Sequence, residues 1–381
     1  MSFKEFLYLD NTSSTKIDKE ILKTYTYLTN RYFANASSLH TLGVEVKNLE
    51  IKAKNQVLDL LKVKNYRLIF TSGATEANNI AIKSIAIKNQ HLGKHLITSK
   101  VEHDSVYNSF KFLADYLGFE VTYLNLNQDG TINLDELKNS LRPDTILVSI
   151  IGVNNEIGTI INHQKWCKLV KENSKALCHV DMVQALGKID LDFLNVDLAS
   201  FSAHKINGIN GSGFLLIRDH LKIAPLISGG SQQDGFRGGT SNSPANIVLA
   251  KTVRLALEKQ EENNAHLKIL SDFLYKELKA ISTISLNSIQ NNSVYNIINF
   301  SVNNVQSEII LNALNNKNIY ISAGSTCQDD LYEDSRVLKA LNKSEKEQRS
   351  RIRIGLDASL TIKDLQYFIE TLKEIINDYA I

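Results

Sequence analysis

Lys205 lies in the stretch SFSAHKINGINGSG, Ser200 to Gly213, where a serine and a histidine precede it at the mouth of an expected strand. Leu198 to Phe201 read as buried strand, and the lysine follows in a glycine-rich turn with no evident carboxylate beside it. An amine relieved of its charge by burial can attack a carbonyl or hold an aldehyde cofactor as an imine. Ser202 and His204 add hydroxyl and imidazole donors suited to a phosphate. A second stretch, TSGATEAN from Thr71 to Asn78, runs from strand into helix through small residues. The backbone N–H groups of Gly73, Ala74 and Thr75 can there wrap a phosphate at a helix N-terminus. It is not a Walker loop, because no Gly-Lys-Ser/Thr follows. His103 starts a later helix and could stack on a flat ring. Asp181 ends a buried strand, with Gln184 three residues on. A carboxylate buried there is costly unless it meets a cation, and a protonated ring nitrogen would serve.

Taken singly, each feature has a plainer reading as a solvated lysine, a capped turn, or a histidine that caps or packs. Composition narrows the field. The 381 residues leave room for two domains, and 43% hydrophobic with 22% charged content is ordinary for a soluble globular enzyme. A formal net charge of +2 without long runs of like charge argues against a nucleic-acid footprint or a membrane patch. Small or zwitterionic ligands fit better. The opening MSFKEFLYLDNTSS lacks the apolar region of a signal peptide, and Ile146 to Val153 is too short to span a bilayer, so a cytoplasmic location is expected. Cys167, Cys178 and Cys327 have neither metal-site spacing nor the density of a disulfide scaffold, so any working cysteine should be a free thiol and no metal is expected.

The elements that must position these residues alternate as strand and helix over most of the chain. Helices are expected over Glu45 to Leu61, Glu76 to Lys88, Asp104 to Leu117 and His163 to Asn173, with another opened by a capping box of Asn133 and Glu136. Strands are expected over Arg67 to Thr71, His95 to Ser99, Glu120 to Leu126, Thr145 to Ile151, Ala176 to Met182, Leu198 to Phe201 and Gly213 to Arg218. The pattern predicts an α/β fold with a mostly parallel seven-stranded sheet flanked by helices. Ser228 to Pro244 is a Gly-, Ser- and Gln-rich loop long enough to be functional. One long helical stretch over Ala245 to Lys279 follows, then a half-exposed alternating strand over Val294 to Val302, a helix over Ser307 to Leu314, short strands over Ile319 to Ser322 and Ile352 to Leu356, and a closing amphipathic helix over Thr361 to Tyr379. These assign residues 15–255 to a large domain, and residues 1–14 with 256–381 to a smaller α+β domain.

Pyridoxal 5′-phosphate needs an imine-forming lysine, an acidic partner for its ring nitrogen and a phosphate cradle, and Lys205, Asp181 and Thr75 with Ser202 supply all three. With TSGATEAN, VEH ending at His103, VNNEIG from Val153 to Gly158, HVDMVQ from His179 to Gln184, SFSAHK, FRGGT from Phe236 to Thr240 and AGSTC ending at Cys327, the chain closely resembles the cysteine desulfurases of the NifS and IscS type. These form part of the class V branch of fold type I pyridoxal-phosphate enzymes. The resemblance implies that Lys205 holds the cofactor as an imine, Asp181 pairs with the pyridinium, Gln184 hydrogen-bonds the ring hydroxyl, and His103 stacks on the ring and moves protons. It implies a phosphate site of Ala74, Thr75, Ser202 and His204, completed by Thr240 from the other subunit of a homodimer. Asn155 and Arg353 would hold the substrate carboxylate. L-cysteine would yield L-alanine and a persulfide on Cys327, for delivery to a sulfur-acceptor protein in iron–sulfur cluster assembly, tRNA thiolation or DNA phosphorothioation.

Cys327 lies in a polar turn, whereas Cys167 and Cys178 read as buried apolar residues. The neighbouring Asp329 and Asp330 disfavour its thiolate. Other departures from the family pattern are Ser13-Ser14-Thr15 for Ala-Thr-Thr, Ala36 for proline, and Asp357-Ala358 for Gly-Arg. The chain stops at Ile381, short of the tail by which housekeeping members engage a scaffold. An aminotransferase or a selenocysteine lyase of the same fold, and a noncatalytic sulfur carrier or assembly partner, are the competing readings.

Overall fold

Alternation along two neighbouring strands shows how the main sheet comes to be covered on both sides. Leu68 and Phe70 pack with Phe214 and Leu216 into one apolar cluster, while Ile69 packs with Leu215 and Ile217 into another. Period-two alternation sends these sets to opposite faces of the sheet. The computed structural model describes residues 6–324 and 335–379. Its strands are β1 (Leu7–Tyr8), β2 (Tyr66–Thr71), β3 (His95–Ser99), β4 (Glu120–Leu124), β5 (Thr145–Ile151), β6 (Leu177–Asp181), β7 (Leu198–Ser202), β8 (Gly213–Arg218), β9 (Ile284–Leu286), β10 (Ile297–Val302), β11 (Ile319–Tyr320) and β12 (Arg351–Gly355). The seven-stranded sheet runs β2-β8-β7-β6-β5-β3-β4, and the expected mostly parallel α/β architecture is borne out. Helices Thr41–Leu60, His163–Asn173 and Ser243–Glu258 supply residues to the first cluster, and helix Asp104–Leu117 to the second.

β8 is antiparallel to both its neighbours, and its first residue, Gly213, is paired with Thr71 at the end of β2 and with Ser202 at the end of β7. The reversal sets those two strand ends beside one another. A Cβ on Gly213 would stand 2.5 Å from Phe201 O and 2.7 Å from Gly73 Cα, so only glycine admits this approach. β2, β7, β6 and β5 therefore all end at one edge of the sheet, the edge at which open α/β sheets hold ligands.

A smaller antiparallel sheet, β12-β10-β9, packs against helices Gln260–Lys279 and Ile362–Tyr379 through Ile298, Phe300, Ile354, Leu270, Phe368 and Leu372. β1 returns to this region, pairing in parallel with β11, and Asp10 bridges to Gly355. The N-terminal segment is thus laid across the end of β12.

Three local expectations change. β10 is buried along its whole length rather than half-exposed. Its polar residues Asn299 and Ser301, which look like a solvent face, bond instead to Asn287 and to the carbonyls of Glu156 and Glu347. The single long helical stretch is two helices, Ser243–Glu258 and Gln260–Lys279, which meet at Lys259. Asn133 does cap its helix, accepting from the N–H groups of Asp135 and Glu136, but the Glu136 carboxylate turns away to Asn125. The capping box is therefore only half made.

Candidate active site

A cavity of about 410 Å³ opens at this sheet edge, lined by Ala74, Thr75, His103, Asn155, Asp181, Gln184, Ser202, His204, Lys205 and Arg353, together with Thr12 and Ser13 of the N-terminal segment. Residues spread over nearly the whole sequence thus converge on one space. Lys205 ends a 3₁₀ turn that follows β7, and its ammonium donates to the carbonyls of Thr12 (2.7 Å) and Ser13 (2.6 Å). It is half-buried and held, not a lysine on a solvated loop.

Asp181 is 2% exposed at the end of β6. Its Oδ2 accepts from Asn78 Nδ2 at 2.8 Å and its Oδ1 from Val183 N at 3.0 Å. Burial pushes its carboxyl above the ordinary range, against the pull of the His103 charge and these hydrogen bonds. A cation in the cavity would relieve that cost.

His103 caps helix Asp104–Leu117, its Nδ1 accepting from Ser105 N at 3.1 Å. The neutral ring therefore carries its proton on Nε2. Ser105 Oγ lies 2.8 Å from the same Nδ1 and accepts from Asn78 Nδ2 at 2.9 Å, so Asn78 joins His103 to Asp181. Burial, followed by the Lys205 charge, brings His204 down to about 4, and at neutral pH it offers one N–H and no charge.

The TSGATEAN turn opens a helical run over residues 74–89, interrupted by a π turn at Ile80–Ser84. Gly73 enters it at φ +149°, a conformation that L side chains rarely adopt. The N–H groups of Ala74 and Thr75 stand in the first turn, where no carbonyl of the helix can accept them. Thr240 is exposed and is not among the cavity residues. Its loop is pinned to the same turn, because Arg237 Nε pairs with Glu76 Oε1 at 2.7 Å.

Arg353, 2% exposed in β12, donates to the Asn155 carbonyl at 3.0 Å and to Ser13 Oγ at 2.6 Å, and pairs with Asp10 at 3.3 Å. Asn155 meets this arginine through its backbone. Cys327, with Asp329 and Asp330, lies outside the described residues. Cys167 and Cys178 are buried as expected. Among the described residues no cluster of His, Cys, Asp and Glu could hold a metal ion.

Sequence reasoning missed several groups that hold the others in place. Thr12 and Ser13 act through backbone carbonyls, which no motif displays. Asn78 is the last residue of the turn motif and could have been found there. Glu102, next to His103, accepts from Ser99 Oγ and Ile151 N, and burial raises its carboxyl to about 8. Lys188 donates to Gln184 Oε1, and burial, followed by the like charge of Lys205, lowers it to about 7. A held amine, a buried carboxylate wanting a cation and an N–H-lined turn in one cavity fit an aldehyde cofactor with a basic ring and a phosphate.

The family described as aminotransferase class-V matches residues 7–368. A cysteine desulfurase IscS of Dictyoglomus turgidum is 40% identical over 376 residues, which cover 98% of this chain and 95% of that protein. Among solved structures, a NifS-like protein superposes with a TM-score of 0.91 at 32% identity, covering 98% of this chain and 99% of its own. The structure of SspA in complex with cysteine gives a TM-score of 0.79 at 32% identity, over 92% of this chain and 98% of that one.

Proposed function

The chain belongs to the aminotransferase class-V family, and on that premise we propose that it is a pyridoxal-phosphate-dependent cysteine desulfurase. It takes the sulfur of L-cysteine and leaves L-alanine and a persulfide on Cys327. The observation that carries this reading is the meeting of Lys205, Asp181 and the 71–78 turn on one cavity, in a chain this similar to a cysteine desulfurase. Bound there, pyridoxal phosphate would supply an electron sink for the amino acid's α-carbon.

The chain's own groups divide the remaining work. Lys205 would hold the aldehyde carbon, and its amine would be the group at hand to move a proton at the substrate α-carbon. Asp181 keeps the ring nitrogen protonated, because an anion in so dry a site is stabilised by a cation against it. His103 would stack on the ring and move protons through Nε2, the nitrogen that the helix cap does not use. Ala74, Thr75, Ser202 and His204 would hold the phosphate, and Thr240 of a second copy would complete that site. Asn155 and Arg353 orient the substrate carboxylate, with the Arg353 guanidinium already turned by Ser13 and Asp10. The Cys327 thiolate would attack the substrate sulfur, forming the S–S bond as the Cβ–S bond breaks, and the electron pair left on Cβ takes up a proton to become the alanine methyl group. Residues 15–255 form the cofactor domain in this reading, with 1–14 and 256–381 as the smaller one.

A homodimer is supported by the exposed Phe33 and Leu39 and by Thr240 standing outside its own cavity. Among the described residues no helix is long and apolar enough to cross a membrane, and we place the protein in the cytoplasm. The sulfur outlet we favour is iron–sulfur cluster assembly, through an acceptor protein, with tRNA thiolation and DNA phosphorothioation as the other outlets. The test is a spectrum and an assay on one preparation. The protein with pyridoxal phosphate should absorb in the visible and, with L-cysteine and a reductant, release alanine and sulfide in equal amounts. Lys205→Ala should lose both properties, and Cys327→Ala should keep the absorbance and stop turning over. A protein that stays colourless would overturn the reading. Full turnover by Cys327→Ala would turn it into a selenocysteine lyase, and conversion of the cofactor to its amine form by a keto acid into an aminotransferase.

A further inference from the structure

Gln184 is 2% exposed and faces the cavity, yet nothing in its own chemistry decides which end of its amide points inward. Carbonyl oxygen and amino nitrogen are nearly the same size, and a rotation of half a turn exchanges an acceptor for two donors. Lys188, four residues on, removes the ambiguity. Gly187 at φ +73° turns the chain, and the Lys188 carbonyl is fixed by Asn264 Nδ2 at 2.9 Å from helix Gln260–Lys279. The Lys188 side chain then runs back so that its amine donates to Gln184 Oε1. In its ammonium form the lysine has three donors and no acceptor, so the amide oxygen is committed to it. Gln184 Nε2 is left facing Thr12 O at 3.1 Å, the same carbonyl that receives the Lys205 ammonium at 2.7 Å.

We infer that Lys188 is a positioning residue that locks the Gln184 amide with its N–H toward the cavity, so that the site selects a cofactor whose ring oxygen is an anion. The inference rests on the pyridoxal-phosphate reading and deepens it. A ring oxygen facing two donors, Gln184 Nε2 and the Lys205 nitrogen, would be favoured as an anion, because a hydroxyl accepts more weakly and would need an acceptor for its own proton. Without Lys188 only the Thr12 carbonyl would orient the amide, and the turned amide, its oxygen toward the ring, would favour the protonated ring oxygen. Lys188 touches neither substrate nor cofactor in this arrangement. It lies behind Gln184, lining a separate polar groove with Asp190, Asn264 and Asp272.

The test compares Lys188→Met, which keeps length and loses the donor, with Lys188→Arg, which keeps a donor. Pyridoxal phosphate is titrated into each apoprotein at neutral pH, following the visible and near-ultraviolet bands. Loss of a charge-assisted hydrogen bond of this kind should weaken cofactor binding in the Met variant by about tenfold and move absorbance from the visible to the near-ultraviolet band. The Arg variant should restore the visible band. A second readout separates position from charge. In a Gln184→Ala background, Lys188→Met should change neither cofactor affinity nor band position further, since the lysine acts through that amide. A further loss there would mean that Lys188 acts on the site by its charge, and would overturn the positioning role. A Met variant with wild-type affinity and spectrum would overturn this inference alone. A wild type that takes up no pyridoxal phosphate would overturn the proposed function and this inference with it.

Discussion

Glu102 shows how burial beside this cavity disfavours a charged acid. Its carboxyl is raised from the ordinary carboxylate range to about 8, chiefly by burial. A group whose folded value is raised contributes stability that is complete below its unfolded value and is lost as pH climbs through the folded one. Glu102 should therefore stabilise the fold below about pH 4 to 5 and lose that contribution progressively up to about pH 8, at roughly 1.4 kcal/mol per pH unit. Glu102→Gln imitates the protonated acid and should flatten the decline. Urea titrations of both proteins between pH 5 and 9 read this directly, and parallel curves would show that Glu102 is not the group responsible. Some residues of the site are legible in the sequence because each stands at a boundary. Lys205 and Asp181 follow or end strands, and His103 opens a helix. Glu102, Lys188 and the carbonyls of Thr12 and Ser13 are not legible, because their importance comes from partners brought in by the fold. Lys205, for example, meets Thr12 from 193 residues away.

At the level of elements, the reversed strand β8 decides whether the phosphate turn and the lysine turn can share a cavity. Gly213→Ala would drive a methyl group into Phe201 O and Gly73 Cα, both backbone atoms that cannot swing aside. The expected cost is about 1–3 kcal/mol of stability. Pyridoxal-phosphate affinity should fall with it, by more than the loss of stability alone explains, since Gly73 leads into the cradle. A thermal melt and a cofactor titration on the same preparation separate the two effects. Unchanged affinity would mean that the turn tolerates the shift. Strand and helix positions along the main sheet were readable from periodicity and caps. The direction of β8 was not, because alternation is the same whichever way a strand runs. β10 misled for a related reason: polar residues on a period of two look solvated even when they face a buried amide network.

For the whole molecule, the loop between the first two helices, Lys19–Arg31 and Thr41–Leu60, carries Phe33 and Leu39 at 76% and 96% exposure. Apolar side chains so bare favour burial against a second copy. Phe33→Asp with Leu39→Asp should yield a monomer in sedimentation velocity and, if Thr240 serves the other subunit, one that retains pyridoxal phosphate poorly. A double variant that remains dimeric, or a wild type already monomeric, would remove this face from the interface. The N-terminal segment has a further consequence, in the order of synthesis. β1 pairs with β11 and Asp10 bridges to Gly355, so residues 7–10 leave the ribosome more than 300 residues ahead of their partners and wait for them before they can dock. At translation speeds of about 5–20 residues per second, that wait is on the order of tens of seconds. Until it ends, the carbonyls that receive Lys205 are elsewhere, and the nascent chain presents its amine to water. Loading of the site thus waits for β12, and a chain terminated ahead of that strand would leave the ribosome before the N-terminal carbonyls could reach the lysine.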